Sequence, residues 1–156
     1  MRDVASEEPV AAPAGFVMNF LATSFGERRG GRATFTMSVS VPLGMRAGGT
    51  SITKDVDVTL SCETSPAENR TIGIRWAPRG GGAFPTFIGR LRAEAVDDTH
   101  AIVKLEGRYA APGGTLGRLF DVVAGTRIAQ ATLRQLLETM RAAIEADYRI
   151  RIGMAM

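Results

Sequence analysis

Cysteine and histidine each occur only once in this 156-residue chain, as Cys62 and His100. A single cysteine excludes a disulfide within the chain, and one cysteine with one histidine argues strongly against a Cys/His metal site. Neither side chain has a partner for nucleophilic or acid–base chemistry in its sequence context. We therefore predict Cys62 as a small core residue and His100 as an exposed or locally bonded imidazole, and we assign no metal, no cofactor and no catalytic residue.

The sequence also has no long apolar run. Its longest uncharged stretch, residues 9–26, is interrupted by Pro13, Gly15 and Asn19 and follows acidic residues. A helix that spans a membrane needs roughly 20 mostly apolar residues, and a secretory signal needs a basic segment in front of its apolar run. We therefore predict no membrane span, and the lone cysteine suits the reducing cytoplasm.

Neither sign of charge is in large excess, because 19 Lys and Arg residues are balanced by 16 Asp and Glu residues spread along the chain. The formal net charge of +3 indicates solubility before nucleic-acid binding. The arginine-rich segment ERRGGR at residues 27–32 has no interleaved aromatic residues for base stacking. It is interpreted as a solvated glycine turn, and no nucleic-acid partner is predicted.

The length of the chain suits one domain with a sizeable core. Residues 1–14 mix Pro, Ala, Ser and acids without periodicity, which predicts a disordered tail in front of a single domain over residues 15–156. In residues 15–25, Phe16, Met18 and Phe20 alternate as in a short first strand, although Phe16, Phe20 and Leu21 also suit a helical turn.

Five further segments alternate apolar and polar residues with the period of a half-buried strand. They cover residues 33–41, 54–63, 71–77, 86–95 and 100–109. The last two form a predicted hairpin, with charged residues on its outer face: Arg90, Arg92 and Glu94 opposite Lys104, Glu106 and Arg108. Cross-strand ion pairs of this kind contribute roughly 0.2–1 kcal/mol each, and they indicate a face that points to water.

Residues 126–150 have the spacing of one long amphipathic helix. Thr126 suits its N-cap, and the segment that ends at Gly125 suits a separate short helix. The apolar stripe consists of Ala129, Leu133, Leu136, Leu137, Met140, Ala143, Ile144 and Tyr148. Such a stripe needs a flat apolar face to lie on, so the sequence predicts an α+β fold in which about six antiparallel strands pack against one long C-terminal helix.

Residues 105–145, LEGRYAAPGGTLGRLFDVVAGTRIAQATLRQLLETMRAAIE, resemble the C-terminal part of START-like proteins of the SRPBCC superfamily, which includes polyketide cyclases, dehydrases and lipid-transport proteins. The features that carry the resemblance are a last strand ending at Tyr109, a PGG turn at residues 112–114, a short segment with Gly117 and Asp121, and the long helix. The resemblance implies a helix-grip fold, in which a curved antiparallel sheet wraps against the helix and a hydrophobic cavity lies between them.

A ligand site in that cavity is also implied, with a small hydrophobic or amphipathic molecule as the partner. Its predicted lining is Trp76, Phe87, Leu91, Leu105, Tyr109, Leu133, Leu137 and Met140. The Trp76 indole and the Tyr109 hydroxyl are its expected polar groups. Typical members of the superfamily have two small helices between their first two strands, and no helical periodicity for these is found before Val56. We therefore expect a cavity that is smaller, more open, or closed by the loop at residues 42–53.

Several functions remain open at this point, because a shared fold does not determine a shared activity. The leading hypothesis is a binder of a small hydrophobic molecule. The alternatives are a polyketide cyclase or aromatase-like enzyme, and a protein-interaction module with a filled core. The predicted interior has no carboxylate or histidine for acid–base chemistry, which argues against the enzyme without excluding it. The sequence identifies neither the ligand, nor the pathway, nor the oligomeric state.

Overall fold

The computed structural model describes residues 2–23, 25, 27–29, 32–42, 51–62, 71–80, 84–110 and 122–155. Seven strands and two helices lie in these ranges. In chain order they are β1 (Arg2–Val10), α1 (Ala14–Thr23), β2 (Glu27–Arg29), β3 (Arg32–Pro42), β4 (Ser51–Cys62), β5 (Ile72–Pro78), β6 (Thr86–Ala95), β7 (Ala101–Ala110) and α2 (Val122–Ala155).

All seven strands form one antiparallel sheet in the order β1-β7-β6-β5-β4-β3-β2. Consecutive strands from β2 to β7 are neighbours, as expected for a meander of hairpins. The first strand of the chain instead pairs with the last, which brings the N-terminus to the far edge of the sheet. The predicted α+β architecture, with an antiparallel sheet and one long C-terminal helix in a helix-grip arrangement, is confirmed.

The prediction of a disordered tail at residues 1–14 is wrong. Residues 2–10 form β1 and pair along their whole length with β7, from Arg2 opposite Tyr109 to Val10 opposite Ala101. The strand was missed because its inward positions are not all apolar: Val4 and Val10 are buried, but Glu8 lies between them on the same face. A polar residue at an inward position removes the alternation that identifies a half-buried strand.

The short first strand predicted at residues 15–25 is a helix. Residues 14–23 form α1, whose buried face consists of Val17, Met18, Phe20 and Leu21. Apolar residues at intervals of one, three and four fit a helical face, which was the other interpretation of this stretch. This helix also corrects the expectation that no helix precedes Val56, since α1 lies between β1 and β2.

The five alternating segments are strands β3 to β7, and the predicted boundaries agree with the observed ones to within a few residues. The segment at residues 27–32, predicted as a solvated turn, contains β2 and the start of β3, with Arg29 opposite Arg32. The outer face of the β6–β7 hairpin carries the predicted ion pairs. Lys104 Nζ lies 2.9 Å from Glu94 Oε2, and Arg92 Nε lies 3.9 Å from Glu106 Oε1.

Helix α2 is longer than predicted, with 34 residues and therefore a length of about 51 Å at 1.5 Å per residue. It begins at Val122, so Thr126 lies inside the helix and the N-cap prediction is wrong, as is the prediction of a separate helix ending at Gly125. Residues 43–50 of the predicted loop at 42–53 lie outside the described residues, as do the predicted PGG turn and residues 116–121 of the predicted short helix. The side chain of Cys62 lies outside them too.

Helix α2 contacts strands near both edges of the sheet. Arg141 Nη1 of α2 lies 2.8 Å from Glu8 Oε1 on the edge strand β1. On the opposite side, the Gln135 side chain donates to the backbone oxygen of Ser40 on β3 at 2.8 Å and accepts from the nitrogen of the same residue at 3.3 Å. The sheet therefore wraps around the helix, and the space between them is enclosed by β1 on one side and β3 on the other.

A pair of glycines allows β6 and β7 to approach very closely. Gly89 and Gly107 lie directly opposite each other in the ladder, at positions that point toward α2. A Cβ atom on Gly107 would overlap the backbone oxygen of Ile88, and one on Gly89 would overlap the backbone oxygen of Glu106. Any side chain at either position would push the strands apart, so this close approach requires glycine.

Candidate functional site

The interior between α2 and the middle of the sheet contains all eight residues predicted to line a ligand site. Each of them is at most 3% exposed to solvent. Strands β5 to β7 contribute Trp76, Phe87, Leu91, Leu105 and Tyr109, and α2 contributes Leu133, Leu137 and Met140. They share one interior because α2 lies across the sheet and both elements turn their apolar faces inward. Their burial agrees with a core role as well as with a lining role.

Three aromatic residues form one row across the inner face of the sheet. Tyr109 is opposite Phe87 in the β6–β7 ladder, and Phe87 is opposite Trp76 in the β5–β6 ladder. The Trp76 and Phe87 rings are stacked, with centroids 4.2 Å apart and planes inclined by 12°. Aromatic pairs in such contact stabilise by roughly 0.5–1.5 kcal/mol beyond the burial of their area. This row is the part of the interior with the largest side chains.

Phe87 also lies over the glycine pair. Its Cζ atom is 2.6 Å from the place where a Gly89 Cβ would be and 2.7 Å from that of Gly107. The ring therefore occupies the volume that two side chains would fill in an ordinary ladder. The next inward pair along these strands is Leu91 opposite Leu105, both fully buried.

Both predicted polar groups are engaged with protein atoms. The Trp76 indole Nε1 donates to the backbone oxygen of Pro85 at 3.2 Å in a buried bond. The Tyr109 hydroxyl lies 2.7 Å from Thr126 Oγ1 of α2, and this bond is partly buried. Buried hydroxyl and indole groups without a partner would be costly, so these bonds make the polar edges of the interior stable. They lie at the end of the sheet where β5 and β7 finish.

Apart from the Tyr109 hydroxyl and the Trp76 indole, the described interior has little polarity. Thr132 is the one buried polar residue in the described part of the chain, and its hydroxyl donates to the backbone oxygen of Ile128 at 2.7 Å. No group of three or more potential metal ligands occurs among the described residues. The interior in these ranges therefore presents aliphatic and aromatic surface, with two hydrogen-bonding groups at one end.

Sequence reasoning missed two features of this interior. Phe84 is 2% exposed although it lies in a segment predicted as a loop between β5 and β6. Its position between Ala83 and Pro85 gives no periodicity that would mark it as buried. Thr126 was assigned to a helix cap, and only the three-dimensional structure brings its hydroxyl to Tyr109.

His100 is outside this interior and behaves as predicted. It is exposed, and its Nδ1 lies 3.0 Å from Asp97 Oδ1 and 2.9 Å from Thr99 Oγ1. The backbone amide of Thr99, followed by the His100 side chain, holds the pKa of the Asp97 carboxyl below its usual value. These contacts close the tight turn between β6 and β7, which is a structural role.

On the β6–β7 hairpin, Lys104 and then Arg92 hold the pKa of Glu94 below its usual value through hydrogen bonds to its carboxylate. We expect Lys104→Gln to raise this pKa, because the larger of the two interactions is lost. A carboxyl whose pKa is lowered by folding stabilises the fold above its ordinary pKa, and this contribution is lost as the pH falls through the lowered value. A carbon-detected NMR titration measures the shift, with Arg134→Gln as the remote control. An unchanged Glu94 pKa in Lys104→Gln contradicts the assignment.

No protein-family model matches the sequence, and no curated protein matches it. Solved structures do match. The Zhui aromatase/cyclase from Streptomyces sp. R1128 aligns with a TM-score of 0.55 and 17% identity over 97% of this chain and 95% of that one. This chain has the START-like fold. A START superfamily protein from Mycobacterium smegmatis aligns with a TM-score of 0.50 and 15% identity over 92% of this chain and 97% of that one.

A third structural neighbour has two domains. The di-domain aromatase/cyclase StfQ from the steffimycin biosynthetic pathway aligns with a TM-score of 0.50 and 19% identity over 95% of this chain and 46% of that one. Identities this low establish the fold alone. The START-like resemblance found in residues 105–145 is confirmed at the level of the fold. None of the described helices is long and apolar enough to cross a membrane.

Proposed function

We propose that this START-like protein binds a small hydrophobic or amphipathic molecule between the sheet and α2. The observation that carries the proposal is the row of Tyr109, Phe87 and Trp76 beside the Gly89–Gly107 pair. Ligand pockets are typically lined by apolar and aromatic side chains with a few polar groups that fix orientation. The Tyr109 hydroxyl and the Trp76 indole are such groups, and both lie at one end of the apolar surface.

The ligand takes the position of the Phe87 ring in this proposal. Phe87 covers two residues that have no side chains of their own, so rotating its ring away exposes a space with backbone as its floor. Trp76, stacked on Phe87 at 4.2 Å, then becomes a flat wall for an aromatic or otherwise planar guest. A space lined by aliphatic and aromatic side chains stays dry and favours an apolar occupant.

Ligand binding is expected to raise thermal stability by about 2.7 kcal/mol at a hundredfold excess of ligand over its dissociation constant. A thermal-shift screen with fatty acids, sterols and aromatic polyketides tests this, supported by native mass spectrometry for a retained molecule. Leu91→Trp adds bulk beside the glycine pair and is expected to reduce the shift. Ile88→Trp adds the same bulk on the opposite face of the same strand, where the side chain is exposed, and is expected to keep the shift.

Equal shifts in the wild type and in Leu91→Trp would place the ligand elsewhere. The binding proposal is contradicted if no compound shifts the thermal unfolding of the wild type and Phe87→Ala also binds no compound. Phe87→Ala is informative because it opens the proposed space without requiring the ring to rotate. The protein-interaction module then becomes the better explanation of the filled core.

A second candidate, a polyketide cyclase or aromatase-like enzyme, is favoured by the hydroxyl pair of Tyr109 and Thr126. A hydroxyl at the edge of an apolar space can donate a hydrogen bond to a ligand carbonyl and stabilise charge that develops on its oxygen. Tyr109→Phe distinguishes the two candidates. The wild type and Tyr109→Phe are each incubated with a poly-β-ketone probe. If both bind the probe but only the wild type changes the mass or absorbance spectrum of the probe, the enzyme candidate is supported.

We expect the protein to tolerate the loss of both its cysteine and its histidine. His100→Gln removes an exposed imidazole at a hairpin turn, and Cys62→Ala removes a thiol with no assigned chemical partner. Each variant is expected to fold and to show the same ligand-induced thermal shift as the wild type. A variant that keeps its circular dichroism spectrum but loses the shift would overturn this expectation for that residue.

A further inference from the structure

The face of the sheet that points away from α2 carries an extended groove. Its larger part is a cleft of about 1020 Å³ that is lined by residues of β1, β7 and β6 and by Gln130 of α2. Its smaller part is a cleft of about 180 Å³ that crosses β5, β4 and β3. Ile88 and Gly89 line both parts, so the two clefts meet on β6.

Positive charge is concentrated in this groove. Among the described residues, four arginines from four strands line it, namely Arg32, Arg75, Arg90 and Arg108, against two carboxylates, Asp3 and Glu106. The excess of two positive charges is most of the formal net charge of +3 of the whole chain. The charge balance of the sequence as a whole hides this concentration, because residues from four strands have to be brought together to produce it.

An exposed aliphatic side chain lies at the centre of the groove. Ile88 is 57% exposed, and the ladders place Arg108 on one side of it and Arg75 on the other. The groove therefore offers a partner one aliphatic contact between two cationic side chains. The guanidinium groups of arginine have the planar geometry that pairs with carboxylates through two parallel hydrogen bonds.

We propose that this groove binds an extended acidic segment of a protein partner, with an aliphatic side chain of the segment packed on Ile88. From β1 to β3 the groove crosses five strand-to-strand steps, which is about 24 Å at 4.8 Å per step. An extended chain covers that distance with about seven residues. Acidic residues on either side of the aliphatic residue then lie within reach of Arg75 and of Arg108, whose Nε already donates to Asp3 Oδ1 at 3.0 Å.

Nucleic acids fit the groove less well. The aromatic residues of β5, β6 and β7 in the described chain are Trp76, Phe87 and Tyr109, and all are buried on the opposite face, so none is available to stack on a nucleic-acid base.

Panning a random dodecapeptide phage library against the full chain tests the proposal. We expect selected peptides to place Asp or Glu on both sides of Leu, Ile, Val or Met. Synthetic copies, measured by fluorescence anisotropy, should bind at least tenfold more weakly to Arg75→Glu and to Ile88→Ser than to the wild type. Arg134→Glu makes the same charge change at an exposed position of α2, and its affinity should stay within twofold of the wild type.

Selected peptides without enrichment in acidic residues would overturn the proposal, and so would acidic peptides that bind Arg75→Glu as tightly as the wild type. Equal loss of affinity in Arg75→Glu and Arg134→Glu would also overturn it, since the effect would then report overall charge. In parallel, a single-stranded oligonucleotide and phosphatidylserine vesicles are tested at the same ionic strength. Binding to either of them without selection of acidic peptides assigns the groove to that partner and rejects the acidic segment.

Discussion

Replacing Gly107 by alanine is expected to lower the free energy of unfolding by about 3 kcal/mol, the upper end of the usual range for overpacking an interior. The new Cβ would overlap the backbone oxygen of Ile88 and lie 2.7 Å from Cζ of Phe87. A side chain can rotate away from such a contact, but the backbone of the neighbouring strand cannot. Strands β6 and β7 would have to separate at this glycine pair. Urea denaturation followed by the fluorescence of Trp76 measures the loss.

A matched control is available in α2. Gly153→Ala adds the same methyl group at a position with no neighbouring atom within 4 Å. Alanine is favoured over glycine inside a helix by up to about 1 kcal/mol, so this variant is expected to be as stable as the wild type or slightly more stable. If Gly107→Ala were within half a kcal/mol of the wild type, the strands would have enough freedom to accommodate a side chain. Adding Phe87→Ala to Gly107→Ala should restore little, because the backbone contact remains.

The elements that the sequence predicts well are those whose pattern is complete within a single segment. In β4, Val56, Val58 and Leu60 alternate with polar residues, and all three are buried. In α2 the apolar stripe keeps the helical period over more than five turns, and Leu133, Leu137 and Met140 all face the interior. A period of two or of 3.6 residues, sustained over ten residues or more, reports the environment of each side chain directly.

The elements that the sequence fails to predict depend on partners that are distant in the chain. Strand β1 exists because β7, about a hundred residues away, supplies its hydrogen bonds, and its inward Glu8 is paired by Arg141 of α2. Without that arginine, a carboxylate at an inward position argues against a strand, since burying an unpaired charge is costly. The acidic residues of this segment predicted a disordered tail. The fold instead brings Arg141 to Glu8, and this pairing cannot be read from the local sequence.

The same distinction applies to the candidate site. Burial of its eight residues could be predicted from periodicity, because each lies on the apolar face of a strand or of α2. The close approach of Gly89 and Gly107 and the position of the Phe87 ring over them could not be predicted. Glycines at alternate positions look like weak points of a strand, and only the register of β6 against β7 makes them one pair. The feature that carries the proposed ligand site is thus a property of strand pairing.

Truncating Leu137 to alanine is expected to cost about 2–5 kcal/mol of unfolding free energy, the range found when a large aliphatic residue is removed from a packed core. Leu137 is 1% exposed and lies in the part of α2 between Gln135, which bonds to β3, and Arg141, which pairs with β1. Because the helix is fixed on both sides, it cannot move inward to fill the space that the leucine leaves. Thermal and urea unfolding should both show the loss.

Glu138→Ala, one position further along α2, is the control for Leu137→Ala, since Glu138 is exposed and its replacement should change stability by less than half a kcal/mol. A loss of under half a kcal/mol for Leu137→Ala itself would contradict packed burial. The variant also bears on the proposed ligand site. If Leu137 lines the ligand space, a saturating apolar ligand should fill the new cavity and recover part of the lost stability, whereas a purely structural Leu137 leaves the deficit unchanged when the ligand is added.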